Sequence, residues 1–378
     1  MGGQVPELPV TYDALEARAR DHLDDRAFGY VAGSAGAERT AAANREAFGR
    51  WRLVPRMLVD VAERDLEVEL LGRTLPAPLL AGPVGVLSIV HPEAEKAVAR
   101  AMAGLGLPSV LSTVSSFPLE EVADAAGEGP RWFQLYWPAE DPVTDSLLQR
   151  AADAGYEAVM ITLDTRLLAW RPRDLATAYL PFLHAEGLSN YLTDPVFAAG
   201  VAEPNEHLSA TQAAVMRWIQ VFSDPAQTWS HLRELCARSP LPVLVKGIQH
   251  PDDARLAIDA GVAGLVVSNH GGRQVDNAIG SLDALPGVVA AVADEVPVLF
   301  DSGVRTGADA AVAIALGAKA VLIGRPWVWG LALAGEDGVR HVFRCLLADL
   351  DLTLALAGIA SVRDLDRGVL VRAGSEPS

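Results

Sequence analysis

From residue 77 onward the chain alternates short apolar runs with longer segments in which apolar side chains recur at helical spacing. The runs are Pro78–Ala81, Ser109–Leu111, Trp132–Leu135, Ala158–Ile161, Val243–Val245, Gly264–Val267, Val298–Phe300 and Ala320–Ile323. Each is short, and several are rich in Val, Ile and Leu, as parallel strands buried on both faces are. Helix signals follow several of them. Pro92-Glu93-Ala94-Glu95 puts proline and acids at a first turn, Ala94, Val98, Ala101, Met102 and Leu105 share one face, and Gly104 and Gly106 close the segment. Pro251-Asp252-Asp253 through Gly261 repeats the formula, and Thr306-x-x-Asp309 resembles a capping box whose helix ends near Gly317. Strand then helix, eight times over, predicts an α/β chain folded as a (β/α)8 TIM barrel. A doubly wound open sheet is the alternative, but it rarely needs so many successive units.

One connection breaks the rhythm. Between the fourth strand, ending near Asp164, and the fifth, starting near Val243, stand Pro172, Pro181, Gly187, Pro195, Gly200 and Pro204, with helix expected to resume around Asp224. A structureless run of that length inside a compact domain reads as a functional lid, here residues 165–224. Before the barrel, Thr11 to Leu75 reads as an extension of two helices and a small β element. Asp60 to Leu71 alternates in part and ends in Gly72, which suggests a hairpin covering the barrel's bottom. The chain 1–378 is then a single domain: barrel core 76–330, insertion 165–224, C-terminal helices 331–378.

Composition narrows the function. Residues are 50% hydrophobic and 21% charged, enough for a large core and against disorder. A net charge of −17 without a basic run argues against a nucleic-acid partner. Cys236 and Cys345 lie far apart, so there is no CxxC pair, no metal site is expected, and a reducing compartment fits. Met1 to Val10 lacks the pattern of a signal peptide, and the longest apolar runs, such as Val288 to Ala293, fall far short of the roughly 20 residues that span a bilayer. A soluble cytoplasmic protein with no membrane partner is expected.

Active sites of this fold lie at the C-terminal ends of the strands. There the chain places Gly82-Pro83-Val84-Gly85, then Ser112-Thr113, Gln134 and Tyr136, Thr162-x-Asp164-Thr165, Lys246-Gly247, Ser268-Asn269-His270-Gly271-Gly272-Arg273, Asp301-Ser302-Gly303-Val304-Arg305, and Gly324-Arg325. The last two loops are the fold's usual phosphate site, where Gly303 and Gly324 allow close backbone approach and Arg305 and Arg325 add charge. A phosphorylated ligand is expected. His270 is the candidate general base, because its ordinary pKa of about 6.5 lies near working pH. Asp164 could orient its ring or simply cap a helix. Lys246 could form a Schiff base, if an apolar pocket depressed its pKa, or set a positive charge beside an electron-rich cofactor.

The segment Ser268-Asn269-His270-Gly271-Gly272-Arg273-Gln274 resembles the active-site signature of the FMN-dependent 2-hydroxy-acid oxidases and dehydrogenases, and the resemblance extends from Tyr30 through Gly324-Arg325 with motifs in matching order. It implies FMN as cofactor and a catalytic set of His270, Asp164, Lys246 and Tyr136. His270 would take the substrate's proton, Asp164 would pair with it, and Tyr136 would sit against the substrate hydroxyl. Arg171 and Arg273 would bind the substrate carboxylate, with Tyr30 adding a hydroxyl. Pro83, Val84 and Gly85 would face the flavin N5 edge and Lys246 the N1/O2 edge. Ser112, Gln134, Thr162 and Ser268 would hold the ring or ribityl chain, and Asp301, Gly303, Arg305, Gly324 and Arg325 the ribityl and phosphate. An NAD enzyme is disfavoured, since no strand is followed by G-x-G-x-x-G with an acid about 20 residues on.

Gly82-Pro83-Val84-Gly85-Val86, Trp170-Arg171-Pro172-Arg173-Asp174-Leu175 and Asn190-Tyr191-Leu192-Thr193-Asp194-Pro195-Val196-Phe197 look most like the lactate 2-monooxygenases of that family. Those enzymes turn lactate and oxygen into acetate, CO2 and water by keeping pyruvate and peroxide together. Tyr191 is then either a lid residue over the substrate or an aromatic packing the loop down. Gly85, where many oxidases of the family carry alanine, is shared by the monooxygenases and by membrane-associated dehydrogenases that react poorly with oxygen. Ala169 departs from a common glycine, so the loop carrying Arg171 is expected to differ, and Val114 leaves room for a larger substrate side chain. The alternatives are an oxidase or dehydrogenase for another, larger or aromatic, 2-hydroxy acid, and a non-catalytic FMN-binding protein. The resemblance also implies a homo-oligomer, a tetramer or octamer.

Overall fold

The computed structural model describes residues 5–374; the first four and last four residues, counted above within the single domain and partly within the Met1–Val10 segment, lie outside the described residues. The chain opens with helices α1 (Tyr12–His22), α2 (Asp25–Ala32) and α3 (Arg39–Gly49), one more than the sequence suggested. Only Leu23 and Asp24 separate α1 from α2, a break too short to interrupt a periodic pattern, and Asp24 caps α2 by accepting from the Ala27 N–H at 2.8 Å. After β1 (Trp51–Leu53), a hairpin of β2 (Val68–Leu70) and β3 (Arg73–Leu75) turns through Leu71 and Gly72, whose φ values of 50° and 79° suit a two-residue turn. Val68, Leu70 and Leu75 join Leu80, Trp132 and Met160 in the core inside the barrel, so the hairpin plugs the bottom, within 68–75 rather than 60–71.

Strands β4 (Leu79–Ala81), β5 (Ser109–Ser112), β6 (Arg131–Tyr136), β7 (Val159–Thr162), β8 (Val243–Ile248), β9 (Gly264–Val267), β10 (Val298–Phe300) and β11 (Ala320–Ile323) form a closed parallel barrel, β11 pairing back onto β4. Each begins within one residue of its expected apolar run. The expected TIM barrel is present. Helices α4 (Ala94–Ala103), α5 (Leu119–Ala126) and α6 (Asp141–Asp153) follow the first three strands.

The insertion after β7 is not structureless. It contains α7 (Pro172–Ala176), a 3-10 turn at Pro181–His184, α8 (Ser189–Leu192), α9 (Pro195–Ala199) and α10 (Ala210–Val221). Pro172 and Pro195, which fall within the run expected to be structureless, instead start short helices, where a missing N–H costs nothing. Helix resumes at Ala210, not near Asp224, because Ser209 and Gln212 make a capping box. Then come α11 (Trp229–Arg238), α12 (Pro251–Asp259), α13 (Ser281–Val292), α14 (Gly307–Ala315) and α15 (Arg325–Ala357), which breaks at Ala334 and Gly335.

The second limb of α15 is the eighth barrel helix. It pairs with α4 through Arg100 and Glu336, 2.7 Å apart, and approaches α14 so closely that a Cβ on Gly307 would stand 2.1 Å from the Leu350 nitrogen. The outer ring therefore runs to Ala357, beyond the expected core boundary at 330. Strand β12 (Leu370–Arg372) returns to pair antiparallel with β1, tying the C-terminal stretch to the segment that follows α3. Among the described residues no helix is long and apolar enough to cross a membrane.

The two limbs of α15 meet at glycines: a Cβ on Gly338 would lie 1.8 Å from the Gly330 carbonyl oxygen. Gly338→Ala is expected to cost about 1–3 kcal/mol or more through forced separation of the limbs. Chemical denaturation compared with the parent checks it, and an unchanged midpoint would show that the limbs separate freely.

Candidate active site

Beyond β9 the chain turns sharply. His270, Gly271 and Gly272 have φ of 59°, 66° and 79°, a left-handed run that glycine tolerates and histidine adopts only when held. The Ser268 hydroxyl accepts from the His270 N–H at 3.0 Å, the Ser302 hydroxyl from Gly271 at 2.9 Å, and the Asn269 amide oxygen from Gly272 at 3.1 Å. Asn269 is in turn clasped by Asn44 of α3 through reciprocal amide bonds of 2.9 and 2.7 Å. The N-terminal extension thus fixes the turn that carries the candidate base.

The turn sets His270 Nδ1 2.8 Å from Asp164 Oδ1, with the Thr165 hydroxyl 3.1 Å from that oxygen and 3.3 Å from the ring nitrogen. No helix starts at Asp164, so it is no cap; α7 begins only at Pro172. Gly247, at φ 112°, lets the strand lie against Asp164: a Cβ there would be 2.8 Å from the Asp164 Cβ. Burial pushes the His270 pKa below its ordinary value, and Lys246 adds to this, against the opposing pull of Asp164. Burial alone would raise the Asp164 pKa, but His270 and Lys246 outweigh it and hold the carboxyl below its usual range. A neutral imidazole beside a fixed carboxylate is a base ready to receive a proton.

Lys246 is buried at the end of β8, 3.0 Å from the Ser268 hydroxyl and 3.3 Å from Asp301 Oδ2. Burial alone would depress its pKa, yet Asp301 and Asp164 hold it above the ordinary value. It is therefore a fixed cation, which removes the Schiff-base reading. Beside it, Ser112 donates to Gln134 at 3.0 Å and Gln134 to Thr162 at 2.9 Å, a buried polar chain across three strand ends. Ser112, Gln134, Thr162 and Ser268 lie just behind the cavity wall rather than on it.

The cavity itself is lined by His270 together with Tyr30, Pro83, Val84, Gly85, Tyr136 and Lys246. Arg171, Arg273, Asp301, Gly303, Arg305, Gly324 and Arg325 complete the residues expected there. Arg273 donates to the Tyr30 and Gly33 carbonyls at 2.7 and 2.6 Å, and Arg171 to the Arg273 carbonyl and Gln274 at 3.1 and 2.9 Å. Neither forms an ion pair among the described residues, and each keeps N–H groups free for a ligand. Burial and the neighbouring Arg171 and Arg325 push the Arg273 pKa down to about 9. A carboxylate bound between the two arginines would remove that penalty.

At the far end, Ser302 and Gly303 (φ 85° and 93°) curl the loop after β10 into a run of backbone N–H groups. Arg305 lies over the Tyr12 ring at 4.1 Å, and burial lowers its pKa. Arg325 is held differently: it donates to the Val31, Gly33 and Gly271 carbonyls and to Ser34, at 2.9–3.0 Å. With burial lowering its pKa to about 10, it is a second cation that forms no ion pair among the described residues, but most of its donors are already used. Arg305 is the freer of the two.

Gly85 has a packing reason of its own. A Cβ there would meet Val114 Cγ2 at 2.4 Å and its carbonyl oxygen at 2.6 Å, so glycine is what lets the loop after β5 close in. Tyr191 requires a correction: it is fully buried, packs on Phe197 with ring centroids 5.3 Å apart, and does not line the cavity. The reading of it as a lid over the substrate fails, because its neighbour Asn190 is pinned by bonds to the Ser112 and Thr113 carbonyls and from the Leu119 N–H. The apolar side chains of the insertion that do line the cavity are Leu168, Phe182 and Phe222, with Trp218 stacked on Phe182 at 4.9 Å. Sequence reasoning missed them, since apolar residues of an irregular insertion follow no period. It also gave Asn44, Asn269 and Tyr12 no role; nothing local marks them.

Comparison with known proteins agrees with this geometry. The model of the FMN-dependent dehydrogenase family matches residues 19–372. The chain is 44% identical to an L-lactate oxidase of Lysinibacillus sphaericus, over 97% of this chain and 93% of that one. It is 41% identical to a 4-hydroxymandelate oxidase of Amycolatopsis orientalis, over 93% and 96%. Among solved structures, mandelate oxidase with (S)-4-hydroxymandelic acid superposes with a TM-score of 0.85 at 38% identity, covering 97% of this chain and 99% of that one.

FMN suits the cavity. Pro83–Gly85 and Lys246 would hold its ring, and the backbone N–H groups at Gly303 and Gly324 with the Arg305 cation would hold its phosphate. Arg305→Ala should weaken FMN binding to the apoprotein by about 10–100-fold, the worth of one or two charge-assisted bonds. Titration followed by flavin fluorescence reads this directly, and unchanged affinity would move the phosphate elsewhere.

Proposed function

The chain belongs to the family of FMN-dependent dehydrogenases, and from that premise we propose that it oxidises a small L-2-hydroxy acid, lactate first, with molecular oxygen as acceptor. One observation carries the reading: His270, paired to Asp164, opens onto the same cavity as Arg171 and Arg273, two cations that form no ion pair among the described residues. A base beside a carboxylate clamp suits an acid whose hydroxyl sits on the α-carbon. His270 takes the hydroxyl proton, Asp164 stabilises the imidazolium, and Tyr136 and Tyr30 border the hydroxyl and carboxylate. FMN, when bound, supplies the acceptor for the two electrons lost as lactate becomes pyruvate.

The apolar lining of Leu168, Phe182 and Phe222 supports retention of products. Pyruvate held with hydrogen peroxide yields acetate, CO2 and water, the monooxygenase outcome; release yields pyruvate and peroxide. A second reading, a larger or aromatic 2-hydroxy acid such as a mandelate, is favoured by the aromatic lining and by the small Val114 on the wall. A homo-oligomer in the cytoplasm is part of the proposal, supported by exposed Met57, Leu58, Leu352 and Leu356 and by two free cysteines.

Anaerobic mixing of the holoenzyme with L-lactate should bleach the flavin, and oxygen should then give acetate without free peroxide. Pyruvate with peroxide would instead make the enzyme an oxidase, and bleaching only by mandelates would favour the second reading. His270→Gln is expected to cut turnover by about 10²–10⁴-fold with FMN retained. Turnover at the parent rate would dismiss the base.

The pH dependence has a definite sign. Catalysis needs neutral His270, whose pKa lies below its ordinary value of about 6.5. The acid limb of kcat/KM should therefore fall below pH 6.5, with activity flat through neutrality and lost as His270 protonates. An acid limb above pH 7 would mean that a different group is the base.

A further inference from the structure

The loop that faces the expected flavin is strained. Val86, next to Gly85, has φ 61° and ψ 41°, a left-handed conformation that a β-branched residue adopts only under constraint. Two things hold it. The Val86 N–H donates to the Val114 carbonyl at 2.8 Å, and the N–H of the next residue, Leu87, donates to Glu95 Oε1 at 3.2 Å. The same carboxylate oxygen accepts from the Ser116 hydroxyl at 3.2 Å, and Ser116 Oγ in turn accepts from the Ser88 N–H at 3.0 Å. Glu95 thus sits where the loop after β4 meets the loop after β5.

A glutamate in this place is costly. It is only 3% exposed, and its sequence neighbour Lys96 is turned away to Glu121. Oε2 is buried and has no hydrogen-bond partner. Beside the carboxyl lies a cavity of about 20 Å³, walled by Val84, Leu87, Ser112 and Trp327 among others. That is room for one water, given that one needs about 10–15 Å³ and two or more polar partners. Glu95 and Ser112 border it.

We propose that Glu95 is the positioning residue of the flavin-facing loop, its side chain, completed by one buried water, clamping Val86–Leu87 to the loop after β5. Burial raises the Glu95 pKa above the usual carboxylate range, so the group can also be a neutral donor to that water. This goes beyond the assignment of the substrate, and rests only on Pro83–Gly85 lying against FMN.

The test uses Glu95→Gln, which keeps the accepting oxygen and a donor, and Glu95→Ala, which removes both. Three quantities are read: FMN affinity of the apoprotein, the absorption envelope of bound FMN, and the KM for hydroxy acid. Glu95→Ala should weaken FMN binding by about tenfold, the worth of a lost buried hydrogen-bond partner, and shift the envelope. Its KM for hydroxy acid should stay put, since Arg171 and Arg273 are untouched. Glu95→Gln should restore affinity and envelope to within about threefold of the parent. A purely structural role would lower the melting temperature but leave the spectrum of the remaining bound FMN unchanged, and that result overturns the proposal. So does a Gln variant as defective as Ala. Should Glu95→Ala not fold, Ser116→Ala must reproduce the spectral shift in smaller measure; an unchanged spectrum there overturns it as well. Affinity and spectrum are read without substrate, so an error about lactate leaves this result standing.

Discussion

Closing parallel strands into a barrel buries both faces of every strand, and polar side chains can then stand only where the strands end or where a partner meets them. The interior below the rim is accordingly Leu80, Val110, Met160, Leu244, Val266 and Leu299, sealed underneath by the β2–β3 hairpin. All the chemistry is displaced to one rim. The polar residues there do not stand alone: Ser112, Gln134 and Thr162 bond across neighbouring strands, and Lys246, Ser268 and Asp301 do the same on the other side. Removing one member would leave a buried group unpaired, which costs more than the bond itself is worth.

On this rim the charge balance is the reverse of the molecule's. The chain carries −17 overall, yet the cavity gathers Arg171, Arg273, Arg305, Arg325 and Lys246. Of these five, only Lys246 forms an ion pair among the described residues; the arginines donate to carbonyl oxygens, one amide and the Ser34 hydroxyl, and several are held below their ordinary pKa by burial. Such a site is destabilised when empty and relieved by anions, so a phosphate at one end and a carboxylate at the other would stabilise the fold by binding. Screening confines the repulsion of the acidic surface to roughly 8 Å, which leaves an anionic substrate free to reach the mouth.

The elements that hold the site come from outside the barrel. Asn44 of α3 clasps Asn269 and so supports the left-handed turn at His270; Tyr12 of α1 underlies Arg305; the carbonyls at the end of α2 anchor Arg273 and Arg325. The insertion is likewise part of the wall. The segment around α8 is pinned through Asn190 and Ser189 to the loop after β5, while Phe182 and Phe222 line the cavity. This explains why Tyr191, conspicuous in the sequence, packs inward on Phe197: the segment it belongs to is fastened down and does not hang over the substrate.

The sequence by itself determined the barrel, because a strand buried on both faces must be a short apolar run and a helix must show its period and its caps. It also placed His270, Arg273, Lys246 and the loops after β10 and β11 at the rim, since polar residues directly after such runs have only the rim to occupy. It could not determine the prolines' role in the insertion, where first-turn and breaker positions look alike, nor the apolar lining, which has no period to read. Nor could it resolve the alternatives for Asp164 and Lys246. Those depend on distances between residues far apart in the chain: Asp164 to His270, Lys246 to Asp301, Asn44 to Asn269. Burial and opposing charge, which set each group's protonation, arise only when the chain has closed and those residues face one another across the cavity.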